Sequence, residues 1–238
     1  MIVAAHQPHY LPWIGYIHKI FLADVFVVMD NMEYTQYSYI NRNRILDRNG
    51  IFFITVPIQY KGKSHKLIRE ITIDNRNDRK WTQKHLKSME HNYRKCRGFY
   101  DFFPQIEPIY TKKHTNLVEL DLELINTILR YLEINTRVLL ASDYDIGGRK
   151  EDELFLSLIE KTKSSTLLLG IGASTRYIDT EKVKGFFSIA HQKFNHPCYD
   201  QRALSFKPGI SIVDMLFSVT RSEAISMIRK AGNYRIVH

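Results

Sequence analysis

Hydrophobic and polar positions follow two different periods along this chain, and the switches between them mark its elements. Ile2-Val3-Ala4-Ala5 is a short apolar run closed by a proline-containing loop, and Val25-Phe26-Val27-Val28-Met29 is a β-branched and aromatic run closed by Asp30-Asn31. Both predict buried strands. Between them Ile14, Ile17, His18 and Phe21 recur at helical spacing after Pro12, which predicts a helix starting near that proline. The opening unit is therefore strand, loop, helix, strand, the pattern of a right-handed βαβ crossover. Further strands are expected at Ile51 to Val56 and Ile71 to Ile73, with the Gly-Lys-rich stretch Lys61 to Lys66 as a loop between them. Trp81, His85, Met89 and Tyr93 share a helical face, and Val118, Leu122, Ile125, Leu129 and Leu132 form the clearest amphipathic stripe, which reads as core. Thr136 to Ala141 and Thr166 to Leu169 read as strands on either side of a helix from Glu151 to Lys161. Met215, Leu216, Ile225 and Ile228 mark two C-terminal helices. With no internal repeat or linker, this order predicts an α/β fold over residues 1–238 as a single domain. Its mostly parallel, three-layer sheet would carry a helical insertion at about 78–133.

Composition narrows the class. At 238 residues and 44% apolar content the chain has enough material for a packed core, which excludes intrinsic disorder. No apolar run approaches the roughly 20 residues of a membrane span. The apolar start lacks a basic leader and stops at His6-Gln7-Pro8, so the expected location is the cytoplasm. Cys96 and Cys198 stand far apart with no second cysteine near either, which argues against a disulfide framework or a zinc knuckle and leaves ordinary thiols. Formal charge is +9, and residues 61–100 concentrate it, with twelve Lys/Arg against four Asp/Glu. Such clustering suits phosphates on a nucleotide, a sugar nucleotide or RNA, or else it is a solvated basic face.

The candidate chemistry gathers in the loop after the first strand, His6-Gln7-Pro8-x-Tyr10-x-Pro12-Trp13-x-Gly15-Tyr16-x-x-Lys19. The carboxyl end of a strand feeding a helix N-terminus is where open α/β sheets bind ligands, because free N–H groups and the helix dipole favour anions there. Here His6 is suited to acid/base work or phosphate binding, Gln7 to amide reading, and Tyr10 and Trp13 to stacking. Gly15 is suited to close backbone approach, and Lys19 adds charge one turn on. Asn41-Arg42-Asn43-Arg44 places two arginines on one side of an extended segment, fit for pyrophosphate or carboxylate. A second anion loop is expected at Gly170 to Tyr177, where Ser174, Thr175 and Arg176 are the donors. His85 and His91 on the basic helix read as incidental. His191, His196 and Asp200 offer metal-ligand types without a tight pair, so no metal site is expected.

The loop and the segments downstream of it resemble the WbqC-like family of bacterial proteins, often encoded among genes for O-antigen and other surface polysaccharides. The likeness rests on the first loop including His9, then Ala23-Asp24-Val25-Phe26 with Asp30, then Tyr34 with Ile40-Asn41-Arg42-Asn43-Arg44. Thr55-Val56-Pro57, Leu67-Ile68-Arg69-Glu70, His196-Pro197-x-Tyr199 and Pro208-Gly209-x-Ser211-x-x-Asp214 complete it. The resemblance implies one α/β domain, a role around glycan biosynthesis on a nucleotide-linked amino sugar, and a site that draws on Asp30, Arg69 and His196. It does not by itself give a reaction.

Three readings are open. In the first, a transferase places an acyl or aminoacyl group on the sugar amine. His6 takes the proton, and Arg42, Arg44 and Lys19 hold the pyrophosphate. In the second, both loops grip a nucleoside triphosphate. The paired signatures of nucleotidylyltransferase folds are similar in part, since His6-Gln7-Pro8-His9 keeps both histidines, although Pro8 replaces a glycine. Mg²⁺ would then arrive with the nucleotide, and no other cofactor is expected. In the third, the protein is a non-catalytic binder of nucleotide sugar or of RNA through residues 61–100.

Overall fold

The fold, taken from a computed structural model, is described for residues 1–60, 62, 65–77, 80–147, 151–170 and 185–237. Six strands form the main sheet: β1 (Ile2–His6), β2 (Val25–Val28), β5 (Arg137–Leu140), β6 (Thr166–Leu169), β7 (Ser188–Phe194) and β8 (Gly232–Ile236). Their spatial order is β5-β2-β1-β6-β7-β8, with every pairing parallel except β7 with β8. The chain runs outward from β1 to β5, then returns to β6 and runs outward the other way. This puts a topological switch point between β1 and β6, the place where such sheets hold ligands.

The strands are continuously apolar because both faces are covered. Val3, Val25, Val27, Leu167, Leu169 and Ile189 pack on one face with Phe155 and Leu158 of α5 (Glu151–Thr162). Ala4, Phe26, Val28, Leu168 and Ala190 face the larger core, which contains Ile14, Ile17 and Ile20 of α1 (Ile14–Phe21). Burying a side chain such as Phe26, 0% exposed, contributes about 1.5–3 kcal/mol. The result is a three-layer α/β fold.

Between β2 and β5 the chain makes an antiparallel hairpin, β3 (Arg42–Asp47) and β4 (Gly50–Thr55), and then the helices α2 (Lys80–Tyr93), α3 (Phe99–Thr111) and α4 (Leu117–Tyr131). All three helices fall inside the expected insertion. Asn116 caps α4 by accepting from the N–H groups of Val118 and Glu119, worth about 1 kcal/mol. The chain ends with α6 (Ile212–Ser218), α7 (Arg221–Lys230) and β8.

One expectation is corrected: Ile71 to Ile73 makes only isolated bridges, Ile58 to Ile73 and Thr72 to Asn116. The first helix starts at Ile14, near Pro12 as the spacing predicts, and the Pro12 carbonyl accepts from Ile212 N–H at 2.8 Å.

Candidate functional site

His6 is the last residue of β1, and the loop after it turns over the carboxyl edge of the sheet. Its Nδ1 lies 3.0 Å from the Gln7 carbonyl. A carbonyl only accepts, so the proton sits on Nδ1 and Nε2 keeps its lone pair. Burial, reinforced by the Lys19 charge, lowers the His6 pKa to about 4, so the ring is neutral at pH 7. The His9 ring stands edge-on to it at 4.7 Å and stacks on Tyr16 at 4.9 Å, while the Tyr16 hydroxyl donates to the Gln7 carbonyl at 3.1 Å. Burial and the neighbouring His6 hold His9 neutral as well.

Lys19 is 6% exposed. Its Nζ donates to the Ala5 carbonyl at 2.9 Å and reaches toward Gly170 at the end of β6, so the ammonium lies at the switch point. No carboxylate pairs with it among the described residues, and burial lowers its pKa to about 8. A buried cation without a counter-charge is costly, and such perturbed groups cluster at functional sites.

The loop is held by its neighbours. Asn43 Nδ2 donates to the carbonyls of Tyr10 and Leu11 at 3.1 and 2.8 Å, and Ser211 Oγ donates to Leu11 at 2.7 Å. Tyr10 N–H donates to Tyr39 at 3.0 Å. These bonds keep Leu11 at φ 42°, a left-handed backbone that costs a leucine about 1–2 kcal/mol. Asn43 and Asn41 are thus positioning residues rather than ligand contacts: both are buried, and Asn41 is used up by the Tyr34 hydroxyl and the Val56 carbonyl.

Arg42 and Arg44 project from one face of β3. The Arg42 guanidinium lies over Phe53 at 4.5 Å and Tyr37 at 5.3 Å, and that of Arg44 over Tyr39 at 5.6 Å. Tyr39 also lies 5.8 Å from His9, so one ring links the arginines to the histidine pair. Among the described residues, the Nε–H groups of Arg42 and Arg44, and Nδ1 of His9, are buried without a partner. Each such group costs about 1–3 kcal/mol until a ligand or water satisfies it. Arg44 also donates to the Gly209 carbonyl at 2.6 Å, and Nε2 of His196 accepts from Gly209 N–H at 3.2 Å.

Other residues fall elsewhere. Tyr10 is corrected from stacking wall to core: it is 0% exposed, and its hydroxyl bonds His85 Nδ1 at 2.8 Å and the Tyr110 hydroxyl. Gly15 is corrected too. A Cβ there would meet the Trp13 indole at 2.3 Å, so its bareness seats that ring and does not admit a ligand. Trp13 itself is half-buried, edge-on to Phe194 at 5.5 Å. Gln7 contributes its carbonyl to the His6 and Tyr16 rings. Asp30 joins β2 to the turn after β5, accepting from Ser142 N–H at 3.0 Å and Ser142 Oγ at 2.6 Å. Arg69 is exposed beside it, with its N–H on the Asp30 carbonyl at 2.8 Å. Ser174, Thr175 and Arg176 lie outside the described residues. Sequence reasoning missed Phe53, an aromatic at an outward position of β4, and undervalued Tyr39; the alternation of the hairpin was the available signal.

A mostly parallel α/β sheet with this strand order is of the doubly wound class, in which ligands are held at the switch point. The profile of the WbqC-like protein family matches residues 7–226, and the chain belongs to that family. An uncharacterised protein of Mycobacterium tuberculosis is 37% identical over 221 residues, covering 91% of this chain and 93% of its own. No solved structure matches. Among the described residues, no helix is long and apolar enough to cross a membrane, and no group of three or more His, Cys, Asp or Glu is placed to hold a metal.

Proposed function

We propose that this protein acts in the assembly of a surface glycan such as O-antigen, transferring an acyl or aminoacyl group to the amine of a nucleotide-linked amino sugar. The observation that carries this reading is the buried Lys19 ammonium, with no carboxylate partner among the described residues, beside neutral His6. An amine attacks only as the free base, so its proton needs a neutral acceptor. The Nε2 lone pair of His6 is that acceptor. As the amine nitrogen attacks the acyl carbon, an N–C bond forms and the bond from that carbon to the donor's leaving atom breaks. His6 takes the amine proton and passes it to the leaving group. Lys19 stabilises the negative charge that develops, and Arg42 and Arg44 hold the substrate's diphosphate.

The test is a mass-shift screen of nucleotide-linked amino sugars with acyl donors. With the substrate so found, His6→Ala is expected to lower turnover roughly 10²- to 10⁴-fold while largely keeping affinity. Unchanged turnover would remove His6 from the chemistry.

One observation favours a second reading, nucleotidyl transfer or ATP-dependent activation. The His6–His9 pair closes the first strand of a sheet whose switch point lies beside it. Thermal stabilisation by ATP with magnesium, absent with nucleotide sugars, would select it. Binding of RNA through residues 61–100 is the remaining outcome, and its mark is steep salt dependence that survives His6→Ala.

A further inference from the structure

Between β4 and the first turns of α2 lies a cleft of about 460 Å³, apart from the histidine pair. Phe52, Phe53 and Trp81 are among its lining residues, with Lys80, Lys84, Asp74 and Asn77 as its charged and polar groups. The floor is His85. Both of its ring nitrogens are engaged, Nδ1 by the Tyr10 hydroxyl and the other by the Thr55 carbonyl, so the floor is fixed. Flat apolar walls, a few polar groups and a cationic rim are what a nucleobase with attached phosphate requires.

The cleft and the arginine face of β3 share Phe53, which lines the cleft and lies under the Arg42 guanidinium. From Phe53 the ring centroids step to Tyr39 at 6.5 Å, to His9 at 5.8 Å and to His6 at 4.7 Å. Arg42, over Phe53, and Arg44, over Tyr39, stand along this path, each with a buried Nε–H that lacks an acceptor. Aromatic surface, then two unsatisfied guanidinium donors, then a neutral base is the order of parts in a base, a diphosphate and a sugar laid end to end.

We infer that the cleft between β4 and α2 is the nucleoside subsite. The base sits between Phe53 and Trp81, the diphosphate lies on Arg42 and Arg44, and the sugar is thereby delivered to His6. This rests on the proposed function, in which the substrate carries a nucleotide. It adds that Phe53 and the residues of α2, which the family motifs do not include, set which nucleotide is accepted.

The experiment titrates UDP, GDP, ADP, CDP and dTDP into the full-length protein by calorimetry, with no sugar or acyl donor present. At least one is expected to bind, with affinity about tenfold weaker in Phe53→Ala and in Lys84→Glu and little changed in His6→Ala. Phe53 is 47% exposed and Lys84 is on the surface, so both variants keep the core, which an unchanged melting temperature verifies. Binding undiminished in both cleft variants would overturn the subsite and leave the nucleotide reading standing. Failure of all five to bind the unaltered protein would overturn both.

Discussion

An ammonium at 6% exposure, with the Ala5 carbonyl as its one hydrogen-bond acceptor among the described residues, sets Lys19 against the stability of its own fold. Its pKa falls from 10.5 to about 8, so between those values the unfolded chain binds the proton and the folded chain does not. Stability from this group therefore rises with pH across that window and is at its poorest below pH 8. Lys19→Met is expected to stabilise the protein by about 1–3 kcal/mol at pH 7, to lose that advantage by about pH 10.5, and to abolish anion binding. Denaturation at pH 7 and pH 10, with ligand titration, checks all three; a destabilised variant would mean that an anion or carboxylate already pairs with Lys19. At this scale the sequence was legible in part. The places of His6 at the end of a strand and of Lys19 on the helix that follows were legible from the predicted elements. Tyr10 misled because residue type does not show which way a loop side chain faces, and its inward turn is imposed by residues far along the chain, Asn43 and Ser211.

Elements are joined by polar hubs that periodicity does not reveal. The Asp214 carboxylate on α6 is 0% exposed and accepts from the hydroxyls of Tyr93 and Tyr199, both at 2.8 Å, and from Gln201 Nε2 at 3.1 Å. Tyr93 in turn accepts from Leu46 N–H at 2.9 Å, so α2, β3, α6 and the loop before α6 meet at one acid. Asp214→Ala leaves the buried Tyr93 hydroxyl and the part-buried Tyr199 hydroxyl without this acceptor, while Gln201 keeps the Lys207 carbonyl, and is expected to cost about 3 kcal/mol, measured as a lower denaturation midpoint. Tyr199→Phe removes one donor and should cost less than half as much. The regular strands and the α4 stripe were legible because their apolar periods are long and unbroken. The span and register of α3 were not, since Pro104 and Pro108 lie inside it and proline usually ends a helix. β3 was readable only conditionally, because its alternate positions carry arginine and asparagine in place of the expected apolar set.

For the molecule as a whole, acid stability is governed by which buried groups stay neutral. Between pH 6.5 and 4 the unfolded chain protonates its histidines, while the fold holds His6 and His85 at about 4, and His9 well below 6.5, through burial. These three make stability fall as pH drops through that window; His18 and His196, also lowered by burial, act in the same direction. Asp214, raised to about 6, and buried Asp121, raised well above the usual carboxyl range, act oppositely, since the fold keeps them protonated where the unfolded chain ionises. The histidines outnumber the carboxyls, so net stability should decline on acidification, each unmatched proton contributing about 1.4 kcal/mol per pH unit. His85→Gln should flatten the slope by one proton. Chemical denaturation at pH 7, 6 and 5 decides it, and a level profile would contradict the burial of these rings. The three-layer sheet was legible from the opening βαβ pattern. The switch point was not, because strand order depends on pairings between distant segments. Those pairings also set a timetable. Pro12 and Leu11 are fastened by Ile212 and Ser211, made about two hundred residues later. At roughly 5–20 residues per second the ribosome needs about 10 to 40 s to supply them. The loop after β1 therefore waits for a segment about two hundred residues downstream before its fastenings are complete, and on a nascent chain it stays unfastened until that segment is made.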